Sequence, residues 1–209
     1  MAAIIVALWQ TPVLLPLKLL VVLFHELAHL VTVLLTGGTP ESLSLTPHQG
    51  GAVLSRGGNR FLTLSAGYLG SLLIGLALFR AALSGRFDHW ITGALGLVIL
   101  LVTLLYVRDP FGLAFCTGAG VLMLASARWL GHGPNDLLLR LIGLTSIIYV
   151  PLDIFSDTLS RAHLRSDARM LAEEFGGATM LWGGLWLLLS LVAIWLALRS
   201  TFRATPGAD

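Results

Sequence analysis

Long apolar runs separated by short polar segments make up most of the chain. About 20 apolar residues in a helix cross the roughly 30 Å of hydrocarbon in a bilayer. Six runs approach or exceed that length, at about residues 12–36, 61–83, 90–107, 110–130, 136–158 and 178–199, and they predict six transmembrane helices. Only Arg108-Asp109-Pro110 divides the third run from the fourth. Charge followed by proline makes a tight polar turn, and Pro110 suits a first helical position. Residues 2–10 are apolar, lack a basic segment before them and run on into the first span, so they do not read as a cleavable signal peptide.

Two connections are long. Residues 37–60 are rich in Gly, Ser and Thr. Within them Ser42-Leu43-Ser44-Leu45-Thr46 alternates with period two, and Ala52-Val53-Leu54 follows a Pro-His-Gln-Gly-Gly break. This pattern predicts a short β-hairpin or re-entrant loop after the first span. Residues 159–177 carry Arg161, Arg165, Asp167, Arg169, Glu173 and Glu174, and read as a solvated connector. The expected fold is an all-α polytopic membrane protein, one transmembrane domain over 1–209 with no soluble domain.

Composition narrows the class. Hydrophobic residues are 56% of the chain and charged residues 11%, against about 25% charged in a typical soluble domain. Too few polar side chains remain to face water. The net charge of +2 provides no basic footprint for nucleic acid. The single cysteine, Cys116, excludes an internal disulfide and a Cys-rich metal site. Arginines divide evenly between the two ends of the spans, so charge does not set the orientation.

Ionisable residues within a span are costly and point to function. The first span contains His25-Glu26-Leu27-Ala28-His29, an H-E-x-x-H pattern. On a helix, positions i and i+4 lie about 40° apart in azimuth and about 6 Å apart in height. Both imidazoles therefore share one face and can share one tetrahedral ion. Glu26 lies about 100° round the helix, where it can serve as general base towards a water on that ion. A catalytic zinc takes three protein ligands. The fifth span ends in Pro151-Leu152-Asp153-Ile154-Phe155-Ser156-Asp157. Asp153 is the expected third ligand, because Pro151 weakens the helix just before it. Asp157, four residues on, is either a partner that holds a ligand or the ligand itself. Spans one and five run in the same direction, so His25, His29 and Asp153 fall at a similar depth.

An H-E-x-x-H inside a transmembrane helix, with a motif of the Pro-x-Leu-Asp type (here Pro151-Leu152-Asp153) in a later one, resembles the site-2 protease class of intramembrane zinc metalloproteases, the M50 group. The M50B-like branch is the most similar. Residues 25–30 (HELAHL), 65–70 (SAGYLG), 151–157 (PLDIFSD) and 166–168 (SDA) match its recurring blocks in order. Ile154 stands where the class has Gly after Leu-Asp. The resemblance implies Zn²⁺, hydrolysis of peptide bonds in membrane-spanning substrates, and an active site nearer the cytosolic face. The expected partners are a transmembrane protein or peptide and the bilayer, with no nucleic acid.

Three alternatives stand beside this reading. One is a zinc-binding membrane protein without proteolytic activity, either a transporter or an inactive scaffold. Another is a peptidase whose third ligand is Glu173 or Glu174. In the third, His25 and His29 only bond neighbouring helices. Elsewhere, Lys18 and Arg140 are expected to snorkel, and Gly67, Gly70 and Gly75 to let helices approach. Trp182, Trp186 and Trp195 are expected at the lipid belt, Cys116 in packing, and His48, His89, His132 and His163 in solvated loops. Segment 42–54 also offers a strand edge that can hold an extended substrate.

Overall fold

In a computed structural model describing residues 1–161 and 164–203, six helices are long and apolar enough to cross a membrane. They cover Pro12–Leu35, Arg60–Ser84, Asp88–Tyr106, Pro110–Trp129, His132–Ser160 and Thr179–Arg199. These agree with the six apolar runs to within a few residues. His163 lies outside the described residues.

A short helix α1 (Ala2–Ala7) leads into a 3₁₀ turn (Pro12–Leu14) and helix α2 (Leu15–Leu35). Strands β1 (Thr39–Thr46) and β2 (Gly50–Arg56) follow, then helices α3 (Arg60–Ser84), α4 (Asp88–Tyr106), α5 (Pro110–Trp129) and α6 (His132–Phe155). Helix α6 widens into a π-helical turn (Ser156–Ser160), and α7 (Asp167–Phe175) and α8 (Thr179–Arg203) complete the chain.

Helix α2 is the hub. Within its apolar window 72% of residues are buried, against 17% for the span in α8, so α2 runs through the centre while α8 faces outward. Large side chains such as Leu104, Leu122 and Leu188 are exposed on α4, α5 and α8, as a lipid-facing surface requires. In hydrocarbon, helices associate through close packing rather than the hydrophobic effect, and small residues permit it. The backbones of Gly96 and Gly120 meet between α4 and α5: a Cβ on Gly96 would lie 2.8 Å from the Gly120 carbonyl oxygen. Gly75 and Gly143 do the same between α3 and α6.

Local chemistry sets the helix ends. Asn59 caps α3 by accepting a hydrogen bond from the Leu62 amide at 3.0 Å, and Gly85 ends it in the left-handed conformation at φ +61°. Asp109 caps α5, with Pro110 at its first turn as expected. Lys18 does not reach for water. It is buried, its Nζ donating to the Trp9 carbonyl at 2.6 Å and lying over the Trp9 ring. The segment before α2 folds back and supplies both contacts.

Segment 42–54 is part of a hairpin. β1 and β2 pair antiparallel, with Leu43 opposite Val53 and Leu45 opposite Gly51, and a bulge lies between Pro40 and Ser42. Leu43 and Leu45 are buried, while the Ser42 and Ser44 side of the alternation is less covered. Leu43 also bridges Val107, at the end of α4.

The connector after α6 departs from expectation. Charge density suggested a solvated segment, yet α7 is amphipathic and buries Ala168 and Leu171 in the core. Trp186 departs too: it is buried against Tyr68, with ring centroids 5.3 Å apart, whereas Trp195 is exposed as expected. Cys116 is fully buried.

Candidate metal centre

The H-E-x-x-H helix turn behaves as its spacing dictates. The His25 and His29 rings meet edge to face with centroids 4.6 Å apart. His29 Nδ1 is 2.7 Å from the Thr63 carbonyl oxygen and donates to it, which leaves Nε2 as the free ligand atom. His25 Nε2 points into the same space.

The third donor in that space is Asp167. Its Oδ2 lies 2.9 Å from His25 Nε2 and 3.2 Å from His29 Nε2. One ligand atom from each of His25, His29 and Asp167 lies within 4.8 Å of the others, a set that can hold a metal ion. Ser166 caps α7, accepting from the Arg169 amide, and Ala168 and Leu171 anchor the helix in the core. Together they carry Asp167 inward from what reads as a connector. Burial pushes the Asp167 carboxyl up, but the facing His29 and His25 rings outweigh it and hold the group well below the usual carboxylate range.

Asp167 is the aspartate in direct contact with the histidines, while Asp153 lines the same cavity. Pro151 does not break α6, which continues through it to Phe155. Asp153 and Asp157 are both engaged by Arg161, at 3.0 Å and 2.6 Å. Burial opposes the Arg161 charge, but Asp157 and Asp153 more than offset this and raise its pKa. Asp157 is tied on its other side to the Tyr68 hydroxyl, which donates at 2.5 Å. The Tyr68 ring in turn packs edge-on against His25, with centroids 4.7 Å apart. Asp157 therefore sits one residue removed from a candidate ligand. Glu173 pairs with Arg165 and Arg169, and Glu174 with Arg60, so neither enters the cluster.

Glu26 is 4% exposed, and its Oε2 has no hydrogen-bond partner among the described residues. A buried carboxylate oxygen is normally satisfied. One left unpaired beside three convergent donors suits a proton acceptor for a group that arrives with the metal or the substrate. Two glycines shape this pocket. A Cβ on Gly67 would run into His25 Nε2 and lie 2.7 Å from His29 Cε1. A Cβ on Gly51 would lie 2.5 Å from Glu26 Oε1. Gly67 thus lets α3 lie against the ring pair, and Gly51 lets β2 lie against the glutamate. A cavity of about 700 Å³ joins these groups to the length of β2.

Two imidazoles and a carboxylate with an adjacent unpaired glutamate make a donor set suited to zinc. Asp167 was legible only as part of the short Ser-Asp-Ala block. Its sequence distance from the histidines, and the charge around it, concealed its place.

The model of the family described as Peptidase M50B-like matches residues 1–197. No curated protein and no solved structure is significantly similar to the chain.

Proposed function

The chain belongs to the M50B-like peptidase family, and from that premise we propose that it is an intramembrane zinc endopeptidase whose ligands are His25, His29 and Asp167. One observation carries this reading. Three donor atoms from α2 and α7 lie within 4.8 Å of one another, beside a buried glutamate oxygen that has no hydrogen-bond partner among the described residues.

In this reading Nε2 of each histidine and a carboxylate oxygen of Asp167 hold the ion. A zinc ion held there would make a water more acidic and polarise the scissile carbonyl. Glu26 accepts the proton of the attacking water and returns it to the leaving amine. The Thr63 carbonyl fixes the His29 tautomer. Tyr68, held by Asp157, fixes the face of His25. Arg161 pairs with both Asp153 and Asp157.

The substrate would be a membrane-spanning segment that unwinds locally, since a helical peptide bond is shielded by its own turn. β2 suits an extended chain. One of its edges pairs with β1, no other described strand pairs with it, and residues 50–55 line the cavity. β-Augmentation there would lay a peptide alongside Glu26. The active site would lie nearer the cytosolic face, as the family resemblance implies. A transport role finds less support: among the described residues no second group of three such donors continues a route through the bundle.

The test pairs metal analysis of the detergent-purified chain with cleavage of fluorescein-labelled casein, an unstructured polypeptide. We expect one zinc per chain, lost in His25→Ala and Asp167→Ala and kept in Asp153→Ala. Glu26→Gln should keep zinc and lose nearly all cleavage. Zinc retained by Asp167→Ala and lost from Asp153→Ala would transfer the third ligand to Asp153. A folded chain that takes up no zinc would end the proposal.

A further inference from the structure

The turn between α4 and α5 holds the hairpin. The Asp109 carboxylate uses its two oxygens for two separate elements. Oδ2 accepts the Gly112 amide at 2.5 Å and caps α5, while Oδ1 accepts the Leu45 amide of β1 at 3.1 Å. Just before it, Val107 forms a parallel bridge with Leu43, and both residues are almost completely buried. The edge of β1 that faces away from β2 is therefore occupied by the turn.

The register carries this contact to the active site. Leu45, bonded to Asp109, is the ladder partner of Gly51. Gly51 is the residue whose missing side chain leaves room for Glu26. Asp109 and Glu26 thus meet the same rung of the ladder, Asp109 at the outer edge of β1 and Glu26 against the face of β2 at Gly51. Two-stranded hairpins are only marginally stable alone. This one packs Leu43 and Leu45 into the core, and the outer edge of β1 is held by the α4–α5 turn. Gly112 fits the same arrangement, since a Cβ there would lie 2.6 Å from Asp109 Oδ1 and 2.9 Å from the Val107 side chain.

We propose that Asp109 is a positioning residue for peptide binding: by accepting the Leu45 amide it pins β1 to the α4–α5 turn and so sets the free edge of β2 at working distance from Glu26. This gives α4 and α5, which carry no other chemistry at the centre, a defined part in substrate handling. The inference rests on the proposed peptidase reading for its functional half, but the latch itself is measured without any cleavage.

Asp109→Ser and Asp109→Asn keep one acceptor for the α5 cap and lose the second, whereas Asp109→Ala loses both. Hydrogen exchange followed by mass spectrometry on the detergent-purified chain reads residues 43–55. In the Ser and Asn variants we expect exchange there to rise at least tenfold, with exchange in α5 and zinc content unchanged. With fluorescein-labelled casein, KM should rise at least fivefold while kcat stays within twofold. Unchanged exchange over 43–55 in both variants would overturn the latch. Faster exchange with an unchanged KM would overturn its role in substrate binding. If the unaltered chain cleaves nothing, the peptidase reading and the functional half fall together, while the exchange result still decides the latch.

Discussion

At the scale of single residues, the site divides its labour by atom. His25 and His29 present Nε2, Asp167 presents Oδ2, and Glu26 keeps one oxygen unengaged. Glu26→Gln preserves shape and removes the base. It should lower kcat by about 10²–10⁴-fold, the usual worth of a positioned general base, with zinc content unchanged. Steady-state cleavage alongside metal analysis checks both halves. In the proposed centre Asp157 acts through Tyr68, to which it is hydrogen-bonded. Asp157→Ala, which removes the acceptor for the Tyr68 hydroxyl, should therefore weaken zinc binding and not abolish it. Competition with a zinc-binding dye measures that, and complete loss of zinc would instead make Asp157 a ligand. The H-E-x-x-H residues were legible because their spacing on one helix is a local property. The sequence pointed to Asp153 from its depth and its neighbour Pro151, which are local properties, while its pairing with Arg161, eight residues on, belongs to the folded structure.

At the scale of elements, two glycines decide how close the surrounding backbone can come. Gly67 on α3 lies against the ring pair, and Gly51 on β2 lies against the glutamate. A methyl group at either position enters occupied space, and overpacking costs about 1–3 kcal/mol. Gly67→Ala should displace the histidines, lowering both thermal stability and zinc content. Gly51→Ala should push Glu26 aside, lowering kcat with zinc retained. Equal zinc loss in the two variants would contradict this division. The alternation in segment 42–46 identified β1 correctly, because Leu43 and Leu45 form its buried face. The α4–α5 turn that supports it was seen only as a separator, since nothing in Arg108-Asp109-Pro110 reveals a bond to residue 45. Helix α7 was missed for a related reason: charges on its outer face outnumber the two apolar residues that dock it.

At the scale of the molecule, the donors come from opposite ends of the sequence and bind α2 to α7. Any ion held there links the central helix to the segment between α6 and α8. A ligand that binds the folded state alone stabilises it, by about 2.7 kcal/mol at a hundredfold excess over Kd. Chelation should therefore lower the melting temperature of the purified chain, with added zinc restoring it. The same treatment should leave Asp167→Ala unmoved, as differential scanning fluorimetry in detergent can show. A melting temperature indifferent to chelator in the unaltered chain would mean that no ion joins the two helices.

The sequence by itself determined the six crossings, the hairpin after the first, and the paired imidazoles with their glutamate. Each follows from interactions among residues close along the chain: apolar length, period-two alternation and helical spacing. Tertiary structure alone decided which aspartate meets the two histidines and which residue bonds the outer edge of the hairpin. Asp167 and His25 are 142 positions apart, as Asp109 and Leu45 are 64. At such separations the approach is fixed by how helices pack and which charges find each other, which no local pattern encodes.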